Sequence, residues 1–133
     1  VYIFKKPGGI MNEEGKRSLI EAGVDYDGAL HRFLNNETMY EKFLVKFPDD
    51  VNYGNILRLQ EEGKYEEIFS FSHTLKGTAG NLGLEPVRVV ASSITELIRG
   101  KNPADIDKDA VDRQISLLKD EYAKMCDAIK DIQ

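Results

Sequence analysis

The chain has 133 residues, 41% hydrophobic and 31% charged, which suits one soluble domain with one core and not comfortably two. Its net charge of -5 argues against a nucleic-acid binder, because no basic surplus exists to displace counterions. No apolar run approaches the ~20 residues of a membrane span, and the single cysteine, Cys126, allows no internal disulfide; the expected location is the cytoplasm.

Residues 1–10 carry no acid and include Pro7-Gly8-Gly9. Val1-Tyr2-Ile3-Phe4 is too short for a signal-peptide core. Met11-Asn12-Glu13-Glu14 reads better as a start, so residues 1–11 are expected to be a leader or flexible segment, followed by a single domain over 12–133. Asn12 to Ala22 predicts a short helix with Leu19 and Ile20 on its apolar side and Gly23 as its stop. A second short helix starts at Asp25, with Tyr26, Leu30, Phe33 and Leu34 at helical spacing, and breaks at Asn35-Asn36.

Residues 37–62 read as a long helical stretch, faced by Met39, Tyr40, Phe43, Leu44 and Phe47 and continued by Val51, Ile56, Leu57 and Leu59. Pro48 lacks a backbone donor and must kink or interrupt it, leaving one kinked helix or two as open alternatives. Asp49 and Asp50 would serve a restarted N-terminus. After the turn at Gly63-Lys64, a helix runs from Tyr65 to about Leu82, and Asn81 to Gly83 permits a change of direction. The next helix spans Leu84 to Arg99, with Pro86 in its first turn, and ends at Gly100-Lys101-Asn102-Pro103. Asp105 or Asp107 caps a final long helix striped by Val111, Ile115, Leu118, Tyr122, Met125 and Ile129. With no strand signal, the expected fold is all-α: an antiparallel up-down-up-down four-helix bundle with additional short N-terminal helices.

The helix over 65–82 sorts into two faces. Ile68, Phe71, Ser72, Leu75, Thr78, Ala79 and Leu82 share the inward one, while His73, Lys76, Gly77 and Gly80 share the outward one. Each helical glycine costs about 1 kcal/mol against alanine, so the bare surface beside His73 serves something other than stability. Lys76, one turn on, suits an approaching anion. An imidazole is a good phosphoryl acceptor because it is partly neutral near pH 7, and phosphoryl transfer asks a protein mainly for positioning and charge stabilisation.

The stretch His73-Thr74-Leu75-Lys76-Gly77-Thr78-Ala79-Gly80-Asn81-Leu82-Gly83 resembles the signature of histidine-containing phosphotransfer (HPt) domains. That signature has seven defined positions in eleven, filled here by His73, Leu75, Lys76, Gly77, Ala79, Leu82 and Gly83. The resemblance extends from about Asp25 to the C-terminus. It implies that His73 is the phosphoacceptor, through Nε2, that Lys76 stabilises the phosphoryl group and that Gly77 gives steric access. It implies a phosphocarrier, not an enzyme: a relay intermediate that takes the group from a receiver aspartate or a histidine kinase and passes it to a response-regulator receiver. The chain would need no cofactor of its own, Mg²⁺ being expected in the partner receiver, and it has no Gly-rich nucleotide loop. Two alternatives are a phosphoacceptor domain cut from a larger chemotaxis-type or hybrid kinase, and a helical interaction module that is never phosphorylated.

Partner docking is expected around the same face. If the turn at Gly63-Lys64 makes its helices antiparallel, Tyr53, Gly54 and Asn55 lie level with His73. Phe69, one turn before His73, is either an exposed docking anchor or a core residue. Gly80 extends the clearing, and Arg88 would add positive charge if it lies beside Lys76. His31 has no comparable neighbours and is expected to be plainly exposed; with His73 and Cys126 it lacks the spacing of a metal site. Nothing in the pattern demands a dimer, so a monomer is expected.

Overall fold

The computed structural model describes residues 11–132. Of the leader or flexible segment expected over residues 1–11, residues 1–10 lie outside the described residues, whereas Met11 is buried in the core rather than part of a flexible segment. Seven α-helices run through the described part: α1 (Glu13–Glu21), α2 (Tyr26–Arg32), α3 (Glu37–Leu44), α4 (Val51–Glu61), α5 (Ile68–Leu82), α6 (Glu85–Ile98) and α7 (Lys108–Lys130). The last four form the antiparallel bundle, with α5 packed between α4 and α6 and α7 against α6. The α4–α7 side is closed by Tyr53, whose ring stacks on Tyr122 at 3.7 Å, and by Asp112, which accepts from Gln60 Nε2 at 2.9 Å and Tyr65 Oη at 2.6 Å. That bond to a carboxylate, with burial and the nearby charge, pushes the Tyr65 phenol up to about 12. Among the described residues the only β feature is an isolated bridge between Val24 and Leu84.

The stretch over 37–62 is two helices. After α3, Phe47–Asp49 makes a single 3₁₀ turn carrying Pro48, and Asp50 then caps α4 by accepting from the amides of Asn52 and Tyr53 at 2.8 and 3.1 Å. Asn12, Asp25, Asn36 and Asp107 cap α1, α2, α3 and α7 in the same manner. Local breaks between helices leave some expected core residues facing outward. Val51, now the first residue of α4, is 73% exposed, and Leu34, which leaves α2 with φ +54°, is 88% exposed.

The end of α5 is heavily bonded. A helix leaves its last four carbonyls without partners in the helix, and here each has one. Ala79 accepts from the Leu84 amide at 2.8 Å, Gly80 from Arg32 Nη2 at 2.7 Å, Asn81 from Arg32 Nε at 3.2 Å, and Leu82 from the buried Tyr40 hydroxyl at 2.7 Å. The Arg32 charge also suits the negative end of the helix dipole. Gly83 makes the reversal with φ +74°, and its carbonyl accepts from the Asp25 amide at 2.8 Å, which ties the N-terminal helices to the α5–α6 corner.

A Cβ on Gly83 would lie 2.5 Å from the Asp25 carbonyl oxygen and 3.0 Å from the Ala29 Cβ. Gly83→Ala therefore combines left-handed strain with a backbone clash. It is expected to cost about 1–3 kcal/mol or more in urea denaturation, and an unchanged midpoint would show that this turn does not hold the corner.

Candidate functional site

Helix α5 holds His73 at its middle. Ile68, Ser72, Leu75, Ala79 and Leu82 are buried and fix the rotation of the helix, so His73, one position past Ser72, comes out exposed. Behind it, Thr95 Oγ1 on α6 lies 2.9 Å from Ser72 Oγ, with the Ala91 and Phe69 carbonyls as the other acceptors at 2.8 and 3.1 Å. These two hydroxyls satisfy each other in the core and lock the height of α5 against α6.

The outward strip is uneven. Gly77 is exposed, and a Cβ built there would meet nothing within 4 Å, so the space in front of it is open. Lys76 is half-buried and makes no ion pair among the described residues. Gly80 differs from Gly77, because its missing side chain is where Arg88 lies: a Cβ would touch Arg88 Cδ at 3.4 Å. Arg88 itself is bonded by Glu85, with Nη2 to Oε2 at 2.7 Å.

Phe69 is half-buried and packed against the core, with its ring parallel to that of His73 within 5° and the centroids 6.1 Å apart. It thus shares features of both expectations, a core residue whose ring borders His73. Arg99, the residue that caps the end of α6, lies over the Phe69 ring, Cζ 5.1 Å from its centroid, and its Nε donates to Glu96 Oε2 at 2.6 Å. That hydrogen bond is the main reason the Glu96 carboxyl is held below the usual range, with the charges of Arg99, Lys76 and His73 adding to it. Glu96 and Arg99 are not singled out by the sequence pattern around His73. The signal that could find them is positional: counting back from the turn at Gly83 places residues 95 to 99 opposite Ser72 to Phe69.

Not every expected docking residue gathers here. Tyr53 turns toward α7, where it stacks on Tyr122. Asn55 is half-buried on α4, with its side-chain oxygen accepting from Arg58 Nη2 at 3.3 Å. On that flank of α5, Thr78, Asn81 and Leu82 face Phe33, Phe43, Lys46, Phe47 and Asp50 across a cavity of about 420 Å³. His31 is exposed in the last turn of α2, apart from this region. Among the described residues no three His, Cys, Asp or Glu side chains come together as a metal would need, and no helix is long and apolar enough to cross a membrane.

Comparison with known proteins identifies the pattern. A model of the Hpt domain matches residues 38–131, which covers α3 almost entirely and all of α4 to α7. No curated protein and no solved structure matches the chain.

Because Gly77 stands in the interior of α5 with open space before it, Gly77→Ala is expected to raise stability by about 1 kcal/mol. A lower urea midpoint for this variant would show that the position is not clear of neighbours.

Proposed function

Since the chain belongs to the Hpt domain family, we propose that it is a phosphorelay intermediate: His73 accepts a phosphoryl group from a receiver aspartate or a histidine kinase and hands it to a response-regulator receiver. The observation that carries this reading is the exposed imidazole beside the open space at Gly77, with Lys76 one turn on and in no ion pair among the described residues. The ring nitrogen Nε2 attacks phosphorus, the bond from phosphorus to the donor carboxylate oxygen breaks, and its electron pair stays on that carboxylate. Lys76 draws the phosphoryl oxygens, and the missing side chain at Gly77 leaves room for them. Return transfer reverses the same bonds. The Mg²⁺ for the reaction belongs to the receiver, and the protein acts as carrier without binding ATP. The same reading applies whether the domain works alone, in the cytoplasm as a monomer, or within a longer kinase chain.

A receiver would dock along the outward strip of α5, over Gly77 and Gly80. Phe69 and Arg88 border it on the α6 side, and Asn55 would be reached from the α4 side. Tyr53, turned toward α7, contributes at most the edge of its ring. An edge of partly exposed Phe69 offers apolar contact next to the reacting ring.

The test mixes the protein with a phosphorylated receiver and Mg²⁺ and looks for acid-labile, base-stable phosphate. His73→Gln should abolish the label with little change in stability, because the side chain is exposed. Lys76→Ala should slow transfer roughly tenfold, less than the loss of a buried donor would, since its site is partly open to water. Gly77→Gln should slow transfer from a receiver while leaving uptake from a small phosphoramidate donor nearly intact. Label persisting in His73→Gln would overturn the assignment.

A further inference from the structure

The surroundings of His73 hold three cations, yet much of that charge is already engaged. Arg88 and Arg99 both reach from α6 toward α5, at Gly80 and at Phe69. Each is held by a glutamate three residues earlier, Glu85 at 2.7 Å and Glu96 at 2.6 Å. Lys76 is the cation without an ion pair among the described residues. Of the two glutamates, Glu96 is the one whose register is tied to His73: it follows Thr95, whose hydroxyl meets that of Ser72, the residue before His73, and its partner Arg99 lies on Phe69, whose ring is parallel to that of His73. His73 and Lys76 both act on its carboxyl electrostatically, behind the dominant Arg99 hydrogen bond.

We propose that Glu96 is a positioning residue that shortens the life of the phosphoryl group on His73, by opposing its charge and by keeping the Arg99 guanidinium occupied. The proposal rests on the reading of His73 as phosphoacceptor. A phosphoryl group brings close to two negative charges at neutral pH. A carboxylate within electrostatic reach of the ring raises the energy of that state, and an arginine already bonded to a carboxylate has fewer donors for phosphoryl oxygens. In the hydrolysis that sets the lifetime, a water oxygen bonds to phosphorus as the bond to the ring nitrogen breaks. The electron pair returns to the nitrogen, one water proton ends there, and inorganic phosphate carries the other away. Departure to a receiver carboxylate relieves the same repulsion, so Glu96 favours passing the group on over storing it.

The experiment uses phosphoramidate, a small donor that needs no partner protein. Wild type, Glu96→Gln and Arg99→Gln are phosphorylated, freed of donor, and followed by the decay of the phosphohistidine ³¹P signal at pH 8 in low salt and in 1 M salt. The Glu96–Arg99 pair is exposed, so its loss leaves the fold intact. Glu96→Gln should decay roughly two- to fivefold more slowly at low salt. The gain should shrink in 1 M salt, where the screening length falls to about 3 Å. Arg99→Gln, which leaves the carboxylate uncompensated, should decay faster than wild type. Equal or faster decay in Glu96→Gln, or a gain indifferent to salt, would overturn the role of Glu96 while leaving His73 as acceptor. Failure of wild type to take up phosphate on His73 would overturn both readings.

Discussion

The reversal at Gly83 is the constraint on which the rest of the molecule depends. It ends α5 in a left-handed turn that a side chain could not occupy, and it sends α6 back alongside. The Asp25 amide, the Arg32 guanidinium and the Tyr40 hydroxyl all converge on the backbone of this corner. Because the corner is fixed, the register of α5 against α6 is fixed too, and Ser72 meets Thr95. Everything that surrounds His73 follows from that register: Arg88 over Gly80, Arg99 over Phe69, and Glu96 between them.

The eleven-residue signature therefore contains two kinds of residue. Leu75, Ala79 and Leu82 are buried, and Gly83 is irreplaceable on backbone grounds; these four make the helix sit and stop where it does. His73, Lys76 and Gly77 face outward and have no comparable structural duty. The two glycines of the strip also differ. Gly77 keeps space open to solvent, whereas Gly80 is filled from α6 by the Arg88 stem. A glycine that looks spare in sequence can thus be an opening or a socket, and the neighbouring helix decides which.

Much of this was legible from periodicity. The helices and the buried stripes of α5 and α7 follow from apolar spacing, and the short acids near Asp50 and Asp107 mark helix starts, though the pattern does not choose between Asp105 and Asp107 and takes Asn12 as the first residue of a helix that it caps. The rest fails for identifiable reasons. Counting residues from the turn at Gly63 says nothing of the direction of the Tyr53 ring, which stacks on Tyr122 of α7. Pro48 announces a disturbance, but only the 3₁₀ turn and the Asp50 cap show that it makes two helices. Leu34 and Val51 fit an apolar rhythm that local backbone breaks interrupt. Glu96 and Arg99 lie on a different helix from His73, and a motif read along one helix does not see across the groove.

The central helix has few means of its own. Its first turn has neither a side-chain cap nor an acidic residue, and its wet face carries two glycines. Fifteen residues with those handicaps would be mostly coil in water. Its shape is lent by α4, α6 and the bonds at its far end. Excised as a peptide, the motif would keep its letters and lose the spacing of ring, ammonium and bare backbone that a docking protein could feel. A partner that reads this spacing can respond only to chains that have finished folding, so traffic through such a site carries its own quality control.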